Sequence, residues 1–144
     1  METITEEGDI KVCIFSELNK INDDESLMEN IRRFSNNIDK QILRLLDTAD
    51  YSRPITQNNI KCSESAVINA LYYVNQGKEV IFNLGYIGAK MSSITHCWVE
   101  VDGQVIQTRV PSADVKLITA YSVKLLPNDV ETAKTKIKEL VESV

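Results

Sequence analysis

The chain has no apolar run long enough to cross a bilayer, which excludes a spanning helix. It has no surplus of positive charge: the formal net charge is −5 and the pI about 4.9. That balance argues against nucleic-acid phosphate or an anionic membrane as the main partner. Cysteine is scarce, with three in an odd count and no C-x-x-C pair, so a disulfide framework is not expected. The opening Met1–Asp9 is acidic where a secretory signal would be basic and then apolar, so it reads as a mobile end and the protein as cytoplasmic. There is no Gly-rich phosphate loop, since Gly85-x-x-Gly88 lacks the length and the lysine spacing. There is also no internal repeat, low-complexity tract or Gly/Ser linker. At 144 residues the expectation is one domain, 1–144, around one core.

Hydrophobic spacing marks two clear helices. Asn22–Ser26 supplies capping residues, and Leu27, Ile31, Phe34, Ile38, Ile42 and Leu45 then recur at helical spacing. This helix ends by Asp50, because Pro54 cannot continue it. The second runs from Ser63 to Asn75, with Ala66, Val67, Ala70, Leu71 and Val74 on a wide apolar face and Gly77 as its stop. Cys62 falls at or just before its first turn.

Strand signals follow. Ile10–Phe15 is a weak strand or an apolar anchor, and Cys13 within it reads as a small buried hydrophobe. Glu79–Tyr86 and Ile94–Val101 read as strands, with residues 90–93 as loop. Asp102-Gly103 predicts a two-residue hairpin to a return strand over Gln104–Val110. Val115–Leu126 is a further strand. A last helix opens at Pro127-Asn128-Asp129, with Asn128 as cap and Val130, Ala133, Ile137, Leu140 and Val141 facing the core. Helices, then an antiparallel sheet, then a helix make an α+β layout.

Chemistry concentrates on Cys62 and on His96, the one histidine of the chain. A thiol at a helix N-terminus feels the partial positive charge of the unpaired amides, which favours the nucleophilic thiolate. The same amides suit the oxyanion of an acyl intermediate. His96 is the matching base, or the cation that steadies the thiolate. If Val101 pairs with Gln104, His96 lies opposite Arg109 and shares a face with Trp98, Glu100 and Gln107. Gln107 then lies diagonal to His96, placed to orient its ring. Trp98 is either core beneath the site or one wall of a substrate groove. A zinc site from Cys13, Cys62, His96 and Cys97 is disfavoured, because adjacent strand residues point to opposite faces.

Cys62-x-x-x-Ala66 opening a helix, a strand containing Gly85, and then His96-Cys97-Trp98-Val99-Glu100-Val101-Asp102-Gly103 resemble the transglutaminase-like core, part of the wider papain-like group. The likeness covers residues 57–110. It implies helices packed on an antiparallel sheet, Cys62 as nucleophile, His96 as its partner and an acid on the next strand. The chain departs from that pattern at Thr108-Arg109, where the acid belongs, so Gln107 or Asp114 would take the orienting role. It departs again at Cys97, where the family has a small residue; by alternation Cys97 faces away from His96 and reads as core. Gln57, five residues before Cys62, is similar to the oxyanion glutamine of papain-like peptidases. Around the histidine the sequence also looks similar to the small leader peptidases of lasso-peptide biosynthesis.

Two functions compete on these residues. One is a cysteine-dependent hydrolase of amide, peptide or isopeptide bonds, with acyl transfer as a variant and no cofactor required. The other is a non-catalytic module that binds a peptide or protein in the same groove.

Overall fold

The computed structural model describes residues 4–7, 10–13, 40–57, 60–88, 94–106 and 116–143. Alternation along the strands decides the architecture. Val80, Phe82 and Leu84 point to one side of the sheet, as do Cys97, Val99 and Val101, and Tyr121, Val123 and Leu125, and all of them are buried. They belong to strands β3 (Val80–Gly88), β4 (Ile94–Val101) and β6 (Lys116–Leu125). Together with β1 (Ile4–Glu7), β2 (Ile10–Cys13) and β5 (Gln104–Ile106) they form one sheet in the order β1-β2-β6-β3-β4-β5. Every neighbouring pair is antiparallel.

Among the described residues, three helices cover the apolar face of the sheet: α1 (Ile42–Thr48), α2 (Cys62–Asn75) and α3 (Val130–Ser143). Helix α2 crosses β3 and β4, α3 packs on β6, and the three helices touch one another. Ile42 and Leu46 of α1, Ala66, Val67, Ala70, Leu71 and Val74 of α2, and Ala133, Ile137, Leu140 and Val141 of α3 complete the core. The expected α+β class is therefore the one adopted.

Two expectations are corrected. Ile4–Glu7 is not a mobile end, because it pairs with β2 in the register Ile4↔Cys13 to Glu7↔Ile10. The signal is the Gly8-Asp9 dipeptide between two β-compatible runs, with β2 itself held by β6. The cap of α3 is Asp129 rather than Asn128. Thr132 donates its backbone N–H (3.1 Å) and its hydroxyl (2.7 Å) to the Asp129 carboxylate, and those hydrogen bonds hold its pKa below the ordinary range. Asn128 is instead in a left-handed conformation, φ +64°, and donates its N–H to the Val74 carbonyl (2.8 Å), tying α3 to the end of α2. The expected helix from Leu27 is described only from α1 onward; its earlier turns and the 90–93 loop lie outside the described residues.

Two turns behave as read. Gly77 has φ +80° and closes α2, with Gly77 N–H bonded to the Val74 carbonyl and Lys78 N–H to the Tyr73 carbonyl, both 3.0 Å. Asp102 and Gly103 both have positive φ, 49° and 82°, as a primed hairpin turn requires. Val101 pairs with Gln104 and Val99 with Ile106, the expected register.

Candidate active site

Cys62 is the first residue of α2, and the helix has no side-chain cap, because Lys61 stands at the capping position. The thiol therefore enters at a helix end whose first amides lack intrahelical acceptors. Most of the first two turns is buried: Ser63, Ser65, Ala66, Val67, Ile68, Asn69 and Ala70 all are. Cys62 itself is half-buried and packs against the core cluster that contains Cys97. A residue set so tightly has few rotamers, which fixes the direction of the sulfur.

Strand β4 supplies the partners. The Cys97 thiol and the His96 side chain both hydrogen-bond the Cys62 sulfur, and the Cys97 backbone N–H donates to it as well. These contacts, Cys97 first, together with the positive charge of His96, outweigh burial and bring the Cys62 pKa down to about 4. An ordinary thiol would hold its proton at neutral pH; a pKa of about 4 favours the thiolate there.

His96 and Cys97 point to opposite faces of β4, yet both reach one sulfur. The backbone N–H of Cys97 lies between the two side chains along the strand, so a sulfur bonded to it is close to both. β4 itself pairs with β3 over its full length. The expectation that Cys97 is core holds for its burial, at 5 % exposed, but it also touches the thiol directly.

Behind His96 the second face of the sheet is closed. The His96 ring stacks on Trp98, with centroids 5.8 Å apart and planes 19° from parallel. Trp98 is 3 % exposed and His96 4 %. Of the two roles foreseen for Trp98, a groove wall is therefore corrected to a buried platform under the imidazole. Gly85 stands opposite His96 on β3, adding no side chain beside the ring, and the β3–β6 register shifts at Leu84/Gly85. Asn83, opposite Trp98 and diagonal to His96, is buried with its Nδ2 lacking a hydrogen-bond partner among the described residues. Asn83 and Cys97 are the site neighbours that the sequence reading missed. The strand pairing Asn83↔Trp98 was the available signal for the first.

The remaining expected residues separate from this centre. Gln107 and Asp114 lie outside the described residues. Gln57 is exposed in the loop before α2, lining a cleft of about 420 Å³ together with Asp50, Arg53, Pro54 and Ile55. The groups on the Cys62 sulfur come from β4, and Gln57 is not one of them. Ser52, also on this cleft, donates its backbone N–H to Asp50 at 3.0 Å, which lowers the Asp50 pKa. Among the described residues no group of three or more His, Cys, Asp or Glu is arranged to hold a metal ion, and no helix is long and apolar enough to cross a membrane.

The loop carrying Gln57 is fastened to α2 at one point. Asn69, 1 % exposed, accepts from the Ile55 N–H at 2.7 Å and donates to the Ile55 carbonyl at 3.3 Å. One side chain thus satisfies both backbone groups of Ile55, as a neighbouring strand would. Asn69→Leu fills the space but leaves that N–H and carbonyl without partners. We expect a loss of about 1–3 kcal/mol in denaturant unfolding, with faster proteolysis within 50–57. An unchanged midpoint would show that the loop is not held here.

Comparison of the chain with family models, with curated proteins and with solved structures returns no match.

Proposed function

We propose that this protein is a cysteine-dependent hydrolase of amide bonds, peptide or isopeptide, built on a transglutaminase-like variant of the papain-like core. One observation carries the reading: the thiol at the start of α2 meets the side chain of the only histidine in the sequence, and its contacts draw its pKa down to about 4. A buried structural cysteine has the opposite tendency, because apolar surroundings raise its pKa.

The chemistry then runs in two halves. The Cys62 thiolate adds to the carbonyl carbon, and the oxygen takes the negative charge beside the first amides of α2. His96 gives a proton to the leaving nitrogen as the C–N bond breaks, leaving a thioester on Cys62. His96 next takes a proton from water, whose oxygen attacks the thioester; the acid departs and the thiolate returns. With an amine in place of water the same thioester gives acyl transfer. Stacking on Trp98 keeps the ring of His96 oriented during both proton transfers. Gln107 or Asp114 would complete the orientation of His96, and Gln57 would join the oxyanion site if the loop before α2 closes on substrate. The lowered pKa favours this reading over the binding-only module, which has no need of a thiolate.

The test uses p-nitrophenyl acetate as a substrate-independent acyl donor. Wild type should release a stoichiometric burst of nitrophenolate and carry an acetyl group on Cys62, identified by peptide mapping. Cys62→Ala should give no burst. Added alkylamine that diverts the thioester to amide would indicate transfer; an unchanged rate would indicate hydrolysis. A burst retained in Cys62→Ala, or acetyl found on Cys13 or Cys97 instead, would overturn the proposal.

A further inference from the structure

Cys97 has no part in the acyl chemistry, yet it is a second thiol in direct contact with the first. Cys62 and Cys97 both stand as thiols, not as a disulfide. One opens α2 and the other lies on β4, the strand that α2 crosses. Cys97 projects to the helix-facing side with Val99 and Val101, and Cys62 packs against that same cluster. We propose that Cys62 and Cys97 form a peroxide-driven disulfide that switches the active site off and protects it. The pair is built for this order of events. Cys62 is the half-exposed partner and Cys97 the buried one, so oxidant meets Cys62 first.

The steps balance with hydrogen peroxide as the oxidant. The Cys62 thiolate attacks one peroxide oxygen, the O–O bond breaks, and hydroxide leaves, giving sulfenic acid on Cys62. The Cys97 sulfur then attacks the Cys62 sulfur; the S–O bond breaks, and water leaves with the Cys97 proton. The result is one S–S bond, two electrons having passed from the thiol pair to peroxide. Because Cys62 packs against the cluster that holds Cys97 and the Cys97 side chain hydrogen-bonds its sulfur, closure is a rearrangement of neighbouring side chains across the α2–β4 contact. The disulfide removes the nucleophile while it lasts. It also stops Cys62 from advancing to the irreversible sulfinic acid.

The inference rests on the thiolate reading of Cys62 but not on any substrate. The experiment therefore reads mass and connectivity rather than turnover. Full-length protein is treated with about a tenfold excess of hydrogen peroxide, quenched, alkylated and mapped without reduction. The expected result is a loss of about 2 Da, a crosslinked peptide pair joining Cys62 to Cys97, and full reversal by dithiothreitol. In Cys97→Ala, Cys62 should instead gain about 32 Da as sulfinic acid, several-fold faster than in wild type, and dithiothreitol should not restore it. Sulfinic acid at Cys62 of wild type without a crosslink, or a crosslink to Cys13, overturns the switch. That failure would leave the nitrophenolate burst intact, whereas failure of the hydrolase reading would abolish the burst and leave the crosslink.

Discussion

Alkylation of Cys62 by iodoacetamide should stay fast from neutral pH down to mildly acidic solution and fall to half near pH 4, the midpoint set by its contacts with Cys97 and His96. A thiol at its ordinary pKa of about 8.5 is less than about 0.1 % ionised at pH 5, so the contrast in thiolate population there exceeds about a thousandfold. The measured rate contrast will be smaller, because a less basic thiolate is intrinsically a weaker nucleophile. His96→Ala removes one hydrogen bond and the positive charge, and should move the midpoint upward. Cys97→Ala removes the largest contribution but keeps the backbone N–H and His96, so it should move it upward as well. A titration of Cys62 in the ordinary thiol range would end both the enzyme reading and the disulfide inference. The same shift has a consequence for stability. The folded pKa lies below the ordinary thiol value, so the contacts on the thiolate stabilise the fold fully above that value. This contribution declines as pH falls and is gone below about 4.

Much of the framework was legible because single residues decide it. Asp102-Gly103 specified a primed turn, and with it the pairing of Val101 with Gln104. Gly77 specified the end of α2, whose next carbonyl contact also holds the start of α3. The apolar run Val80-Ile81-Phe82 marked Glu79–Tyr86 as a strand, and β3 spans Val80–Gly88. At the site, the sequence order of a helix-start cysteine and a strand histidine was enough to suggest that the two side chains meet.

What stayed hidden depends on where strands lie relative to one another in three dimensions. Alternation correctly put Cys97 on the face away from His96. It could not show that the sulfur of Cys62 would take contacts from both residues. Met1–Asp9 reads as a mobile end from its terminal place, but β2 gives Ile4–Glu7 a pairing partner. The cap of α3 slipped by one residue because Asn128 and Asp129 are both good caps, and the left-handed turn at Asn128 leaves Asp129 to take the position. Trp98 was open between core and groove because a strand pattern does not say whether its second face is covered.

Replacing Trp98 separates the structural from the positioning role of the second face. Trp98→Ala removes a side chain that is 3 % exposed and should cost about 3–5 kcal/mol in unfolding free energy, among the largest single-residue losses in this fold. It should also release the His96 ring, which stacks on the indole at 5.8 Å. Trp98→Phe keeps a flat surface of smaller area, and should recover much of the stability and most of the ring orientation. The informative readout is the pH midpoint of Cys62 alkylation, measured at a temperature where every variant remains folded. If the indole holds His96 against the thiolate, the midpoint rises in Trp98→Ala and returns toward about 4 in Trp98→Phe. If Trp98 only fills space, stability falls while the midpoint stays where wild type has it. The first outcome makes Trp98 part of the reacting centre through its hold on the histidine, and ties the reactivity of a helix-start sulfur to a ring buried on the opposite face of the sheet.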